Sequence, residues 1–245
     1  MSKIIAVVRS IIFWFVCALV VIISRFFIPI IVFICHADEK LVTHHARRIW
    51  AKISLLAGGL RIKIEGLANI PNHQPVILVS NHQSYLDIFV LSSIIPFFFR
   101  FLAWDDLFKI PIFGPLMRKS GSIPVSDNNE QEAFKSLLKV TKLVKAGESF
   151  VIFPEGRLTR DGNLSPFGLG TAVIALNTGN PVIPVAVSGS YKILHKGEWI
   201  LQPGEIKIKF GKPLTFQNYQ LEKSTYERAT EKIRNSIEEL LSSVK

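Results

Sequence analysis

From Ile4 to Cys35 the chain carries only two charged residues, Arg9 and Arg25, in a stretch dominated by Ile, Val and Phe. That is far more apolar surface than a soluble core helix presents, so this segment meets lipid. Between the two arginines, Ser10 to Ser24 is an uncharged run of 15 residues. As a helix it spans about 22 Å, against a hydrocarbon core of roughly 30 Å. Two arrangements follow. If Arg9 and Arg25 snorkel, a tilted single span fits. If Arg25 and Pro29 break the run, two helices dip into one leaflet, and this second arrangement is the one the sequence favours. A cleaved signal peptide fits poorly, because the apolar region is too long and Cys35-His36-Ala37 is a weak cleavage site.

Directly behind, residues 36–59 place Leu41, His45, Arg48, Ile49, Lys52, Leu55 and Leu56 at helical spacing, so basic and apolar faces run along one interfacial helix. Residues 1–60 hold seven Lys and Arg against two Asp and Glu, half of the chain's net charge of +10. A basic excess beside an apolar anchor selects anionic lipid headgroups over nucleic acid. Zinc-finger spacing, an RNA-binding aromatic motif and a dimeric basic region are all missing from the sequence. Cys17 and Cys35 both lie in the apolar segment, which leaves neither a disulfide framework nor a cysteine-based metal site and suits a reducing compartment.

After Gly58-Gly59 the pattern becomes short β-rich runs alternating with helical stretches. This predicts an α/β fold with a mixed, mostly parallel central sheet flanked by helices: residues 1–59 form the membrane-anchoring helices and 60–245 one domain. Strands are predicted at Arg61–Glu65, Val76–Ser80, Phe99–Ala103, Ser122–Val125, Phe150–Phe153, Val182–Val187 and Glu205–Phe210. Helices are predicted at Ser84–Ile95, Gln131–Ala146, Gly170–Asn177 and Ser224–Ser243.

Two predicted strands end in polar residues, which is where open α/β sheets hold ligands. The first delivers the chain into Asn81-His82-Gln83-Ser84-Tyr85-Leu86-Asp87. Ser84 followed three residues later by Asp87 resembles a helix capping pair. With His82 just ahead of the first turn, an Asp87 carboxylate can accept the proton of one ring nitrogen and leave the other as a general base for a hydroxyl. A purely capping Asp87 beside a loop histidine is the alternative reading of this spacing. The second strand ends in Pro154-Glu155-Gly156-Arg157, where Gly permits close backbone approach, Arg offers a bidentate phosphate donor and Glu can orient a ligand hydroxyl or that Arg. A plain turn with a surface ion pair is the alternative there.

Taken in order, these residues resemble the glycerolipid acyltransferase superfamily, in particular its bacterial 1-acylglycerol-3-phosphate (lysophosphatidate) acyltransferase type. Asn81, His82 and Asp87 match the Asn-His-x4-Asp motif. Phe153, Pro154, Glu155 and Gly156 match Phe-Pro-Glu-Gly, and Ile183, Pro184 and Val185 match the Val/Ile-Pro-Val strand. Residues 107–125 resemble the approach to the second motif, with Gly121, Ile123, Pro124 and Val125 in place. The resemblance covers roughly residues 60–210. It implies transfer of a fatty acyl group from acyl-CoA or acyl carrier protein, as co-substrate, to the free hydroxyl of a lysolipid, with His82 and Asp87 catalytic and no metal or other cofactor. It also implies an acceptor site shaped by Asn81, Glu155 and Gly156. The expected location is a membrane, with the domain on the cytoplasmic side of a bacterial inner membrane.

The sequence also departs from that pattern. The second motif usually ends in an arginine that holds the phosphate, and here Asp127 stands in its place. The third motif continues Arg157-Leu158-Thr159-Arg160, which puts the arginine one residue early, and Trp104 stands where a lysine is common. Arg157 is therefore the first candidate for a replacement phosphate ligand, with Arg118, Lys119 and Arg160 behind it. The change at Asp127 equally suits another lysolipid, such as one with a larger headgroup or an aminolipid. A non-catalytic lipid-binding protein is the alternative from a different class.

Overall fold

The computed structural model describes residues 3–71, 74–111, 113–126, 128–216 and 222–244. Helix α1 (Lys3–Cys35) runs unbroken for 33 residues with Pro29 inside it. This corrects the expectation of two helices divided at Arg25 and Pro29. Proline deletes one backbone donor, and the helix bridges that single loss, because unravelling a turn in apolar surroundings leaves several more groups unpaired. At about 50 Å, α1 is longer than the hydrocarbon core is thick. Among the described residues it is the one helix long and apolar enough to cross a membrane.

The first half of α1 is fixed to the rest of the molecule. Ala6, Ser10, Phe13 and Cys17 are buried. Arg9 Nη2 donates to the Leu201 carbonyl at 2.5 Å, Trp14 Nε1 donates to that of Trp199 at 2.9 Å, and Ser10 Oγ accepts from Leu201 N at 2.8 Å. Further along, Phe26, Phe27, Ile30, Phe33 and Ile34 are exposed. Helix α2 (Glu39–Ala57) starts at Asp38, whose carboxylate accepts from Lys40 N and Leu41 N. Its sidedness is inverted relative to an ordinary soluble helix. Thr43, His44, Ala51 and Ser54 are buried along with Leu55, while Leu41, Ile49, Ile53 and Leu56 face outward. An apolar outer face over a partly polar inner one suits a helix whose outside is not water.

Among the described residues seven strands form one sheet: β1 (Arg61–Glu65), β2 (Ile77–Ser80), β3 (Phe99–Trp104), β4 (Ile123–Val125), β5 (Ser149–Ile152), β6 (Val182–Ser188) and β7 (Glu205–Phe210), in the order β1-β7-β6-β2-β5-β3-β4. Every pairing is parallel except β6 with β7, so the sheet is mixed and mostly parallel, as the alternation predicts. The connecting helices are α3 (Leu86–Ile94), α4 (Phe113–Lys119), α5 (Glu130–Lys145), α6 (Gly170–Thr178), α7 (Ser190–Ile193) and α8 (Lys223–Ser243).

Both faces of the sheet are covered, which is why the central strands read as continuous apolar runs. On β2, Leu78 joins Phe13, Leu55 and Val90 under α1, α2 and α3. Its neighbours Ile77 and Val79 join Val140, Ile174 and Ile233 under α5, α6 and α8. Because β2, β3, β5 and β6 are mutually parallel, their C-terminal ends open on the same edge, and the two polar segments singled out in the sequence meet there.

Candidate active site

Beyond Ser80 the chain leaves β2 and is held residue by residue. The Asn81 side chain pairs twice with the backbone of Val187 on β6, Nδ2 donating to the carbonyl and Oδ1 accepting from the amide, both at 2.8 Å. His82 N donates to Glu155 Oε1 at 2.7 Å, and the His82 carbonyl accepts from Thr159 N at 3.0 Å. Asp87, in the first turn of α3, reaches back with one oxygen: Oδ2 accepts from His82 Nδ1 at 3.0 Å, from Gln83 N at 2.7 Å and from Ser84 N at 2.9 Å. Ser84 Oγ accepts from Leu86 N and donates to the Leu194 carbonyl at 2.5 Å.

The capping role and the imidazole contact, set apart as alternatives on sequence spacing, are thus combined in one fully buried carboxylate. Helix α3 starts two residues later than predicted because Ser84 and Asp87 cap the turn ahead of it. In the neutral ring a carboxylate acceptor places the proton on Nδ1 and leaves the lone pair on Nε2. One face of the imidazole lies against Phe153, with ring centroids 3.8 Å apart and planes 14° from parallel.

Residues from four strand ends line a cleft of about 940 Å³, counting its open mouth. His82, Gly156, Arg157, Trp104 and Lys196 are among them. Gly156 turns the chain at φ +69°, a conformation that favours glycine. Arg157 holds its guanidinium carbon 5.0 Å from the Trp104 ring centroid, so the residue standing at the usual lysine position is a shelf for a cation. Apart from His82, the charged side chains among the lining residues are both cationic, Arg157 and Lys196.

The other sequence candidates stand elsewhere. Asn81 is 1% exposed and its amide is taken up by Val187, so it positions the loop and does not face the cleft. Glu155 is likewise a brace: its second oxygen accepts from Ser165 N at 2.8 Å, tying the His82 loop to residues 155–165. Burial pushes the Glu155 carboxyl above its ordinary range, against the pull of those two amides. Arg118 Nη1 donates to the Phe108 carbonyl at 2.7 Å, outside the cleft lining, and Lys119 lines a different cavity. The Arg160 carbonyl accepts from the Tyr191 hydroxyl. Asp127 lies outside the described residues. Sequence reading missed Lys196 and the stacking of Phe153 on His82. Lys196 sits in an exposed loop with no distinguishing pattern, and a stacking partner can be recognised only once two strand ends are side by side.

An α/β sheet with a histidine just beyond a strand end and a buried aspartate in the first turn of the helix that follows defines a class, and comparison with known proteins gives that class its name. A family model described as Acyltransferase matches residues 61–188, more than half of the chain, and the chain belongs to this family. Among curated relatives, a chloroplast 1-acyl-sn-glycerol-3-phosphate acyltransferase of Brassica napus is 36% identical over 173 residues, 70% of this chain and 50% of that one. The 1-acyl-sn-glycerol-3-phosphate acyltransferase of Pseudomonas aeruginosa is 31% identical over 193 residues, 77% of this chain and 72% of that one. The chain spans about half the length of the chloroplast relatives. The crystal structure of the 1-acyl-sn-glycerophosphate (LPA) acyltransferase of Thermotoga maritima matches with a TM-score of 0.82 at 25% identity, covering 98% of this chain and 99% of that one.

Proposed function

We propose that this chain is a membrane-associated acyltransferase that moves a fatty acyl group from an acyl thioester, acyl-CoA or acyl carrier protein, to the free hydroxyl of 1-acylglycerol-3-phosphate, giving phosphatidic acid. The observation that carries this is the His82 Nδ1 to Asp87 Oδ2 contact at 3.0 Å on the wall of the cleft, in a fold shared with a lysophosphatidate acyltransferase. In this reading His82 Nε2 takes the hydroxyl proton as the acceptor oxygen attacks the thioester carbonyl. Asp87 stabilises the imidazolium that forms. The C–S bond then breaks, and the departing sulfur leaves as the thiol with that proton. Arg157 and Lys196, the cations on the cleft wall, are the proposed ligands of the acceptor phosphate. The apolar outer surfaces of α1 and α2 support a membrane location. The basic excess beside them and the bacterial relative favour the cytoplasmic face of a bacterial inner membrane.

The test offers purified protein and His82→Ala a panel of lysolipids with one acyl-CoA and one acyl carrier protein donor. Removing a positioned general base costs roughly 10²–10⁴-fold in rate. Turnover of lysophosphatidate that is lost in the variant is the expected result. A preference for a larger or aminated headgroup moves the substrate but keeps the chemistry, an outcome with which the charge reversal at Asp127 would agree. No turnover on any acceptor, with liposome binding indifferent to the substitution, overturns the enzyme reading in favour of a lipid-binding protein.

A further inference from the structure

Arg9 is one of two charges in the apolar run from Ile4 to Cys35, and its guanidinium is held by the protein itself. It donates to the carbonyl of Leu201, a fully buried residue. A charged side chain on an apolar helix is kept against a desolvation cost, so the group it serves shows what it is for. Here that group lies between α7 and β7, in the loop 194–204, which carries Lys196 onto the wall of the His82 cleft.

The two limbs of this loop are pinned to different parts of the molecule. Ahead of Lys196, the Leu194 carbonyl accepts from Ser84 Oγ at 2.5 Å, the same hydroxyl that accepts from Leu86 N at the start of α3. Behind Lys196, the bonds run to α1. The Trp199 carbonyl accepts from Trp14 Nε1 at 2.9 Å, the Leu201 carbonyl accepts from Arg9 Nη2 at 2.5 Å, and Leu201 N donates to Ser10 Oγ at 2.8 Å. Three side chains within two turns of one helix therefore hold two residues of this limb. The crossing is close: a Cβ at Gly58 would lie 3.0 Å from Phe13 of α1 and 3.5 Å from Leu201.

Gln202 N closes the base of the loop on the Ile193 carbonyl at 2.8 Å, and Glu198 N closes its tip on the His195 carbonyl at 3.1 Å. Residues 195–199 are all exposed, so burial does not fix the tip. The limbs set where the Lys196 backbone stands, and with it the reach of a long, flexible ammonium side chain.

We propose that Arg9, Ser10 and Trp14 are positioning residues for acceptor binding: by fixing Trp199 and Leu201 they hold Lys196 where it meets the acceptor phosphate. This rests on the acyltransferase reading above, in which Lys196 is a phosphate ligand. Ser84 pins the limb nearer His82 independently of α1. Loosening the α1 limb therefore weakens capture of the acceptor and leaves proton transfer at His82 as it was.

The experiment compares the full chain with Trp14→Phe, Arg9→Met and Arg9→Lys in nonionic detergent, each with and without Lys196→Met. Trp14→Phe keeps a ring and removes the N–H. Arg9→Met makes α1 more apolar, so poorer seating in lipid or detergent does not account for a loss. Equilibrium binding of radiolabelled 1-acylglycerol-3-phosphate is measured without donor, and KM and kcat with donor. Dissociation constant and KM are expected to rise roughly 5–10-fold in Trp14→Phe and Arg9→Met, the effect of one hydrogen bond, with kcat within about twofold of wild type. Arg9→Lys, which keeps a donor for the Leu201 carbonyl, recovers most of the loss. With Lys196→Met in place the α1 substitutions have no further effect, because the group they position is gone. Trypsin cleavage after Lys196 in the ligand-free protein is faster in Trp14→Phe and Arg9→Met than in wild type. A fall in kcat at unchanged KM, additive losses in the Lys196→Met background, no recovery in Arg9→Lys, or cleavage as slow as in wild type each overturns the proposal. Cleavage and equilibrium binding need no turnover, so a chain that met both expectations and transferred no acyl group would sink the acyltransferase reading and leave the tether standing.

Discussion

Two polar clusters sit within a helix of each other, and they are built on opposite principles. In the loop from Asn81 to Asp87, both polar atoms of the Asn81 side chain have protein partners and Asp87 Oδ2 has three, while Asp87 Oδ1 is buried without one. On the inner face of α2, Thr43, His44 and Arg47 carry five orphaned atoms among them. Dense pairing fixes a loop in one geometry, which the proposed general base requires. Sparse pairing leaves the inner face of α2 held by apolar and aromatic contacts instead.

The largest effect that sharpens this contrast is expected at Asp87. Asp87→Asn keeps the shape but disturbs the proton on His82 Nδ1, and the acyl-transfer rate should fall by about 10³–10⁴. A rate within tenfold of wild type in a steady-state assay would end the dyad mechanism. Next comes stability: Asn81→Ala strips both partners from the Val187 backbone inside the protein and should destabilise by about 2–4 kcal/mol in denaturant titration. A neutral result there would remove the distinction between the clusters. Arg47→Met runs the other way. Replacing an unanswered buried cation by an apolar side chain of similar reach should leave stability unchanged or raise it by about 1 kcal/mol. A loss of several kcal/mol would mean that the aromatic faces already satisfy the guanidinium.

The smallest effect is a pH slope at His44. Burial first, then the charges of Arg47, His45 and Arg48, lower its pKa to about 4. A histidine depressed in the folded state binds fewer protons there than in the unfolded chain, so its contribution to stability is present above pH 6.5 and is lost as the pH falls toward 4. His44→Leu should flatten the melting temperature across that window relative to wild type. An unchanged slope would assign the acid sensitivity elsewhere.

The sheet was legible because its strands are short, two-sided and bounded by turn residues. Arg61–Glu65 and Glu205–Phe210 fall where predicted, and the remaining strands differ by a residue or two at their ends. Helix α4 was not legible, since two turns give too little period to detect. The continuity of α1 was misjudged because sequence weighs Pro29 as a single residue and the structure weighs it against more than 30 others. In the cleft, His82 and Asp87 are five residues apart and could be linked on spacing, whereas Asn81 and Val187 are 106 apart. Asn81 and Glu155 therefore looked like ligands, and only the folded chain reveals them as struts. Arg47 gave no sign in the sequence that two of its nitrogens are buried unpaired.

The stack of Phe153 on His82 has a further consequence. A ring blocked on one face and held along one edge no longer has a mirror plane. Handedness is thereby built into the proposed base itself, before any headgroup contact. In the proposed mechanism two enantiomeric glycerol backbones would meet His82 as different molecules, distinguished at the oxygen that reacts.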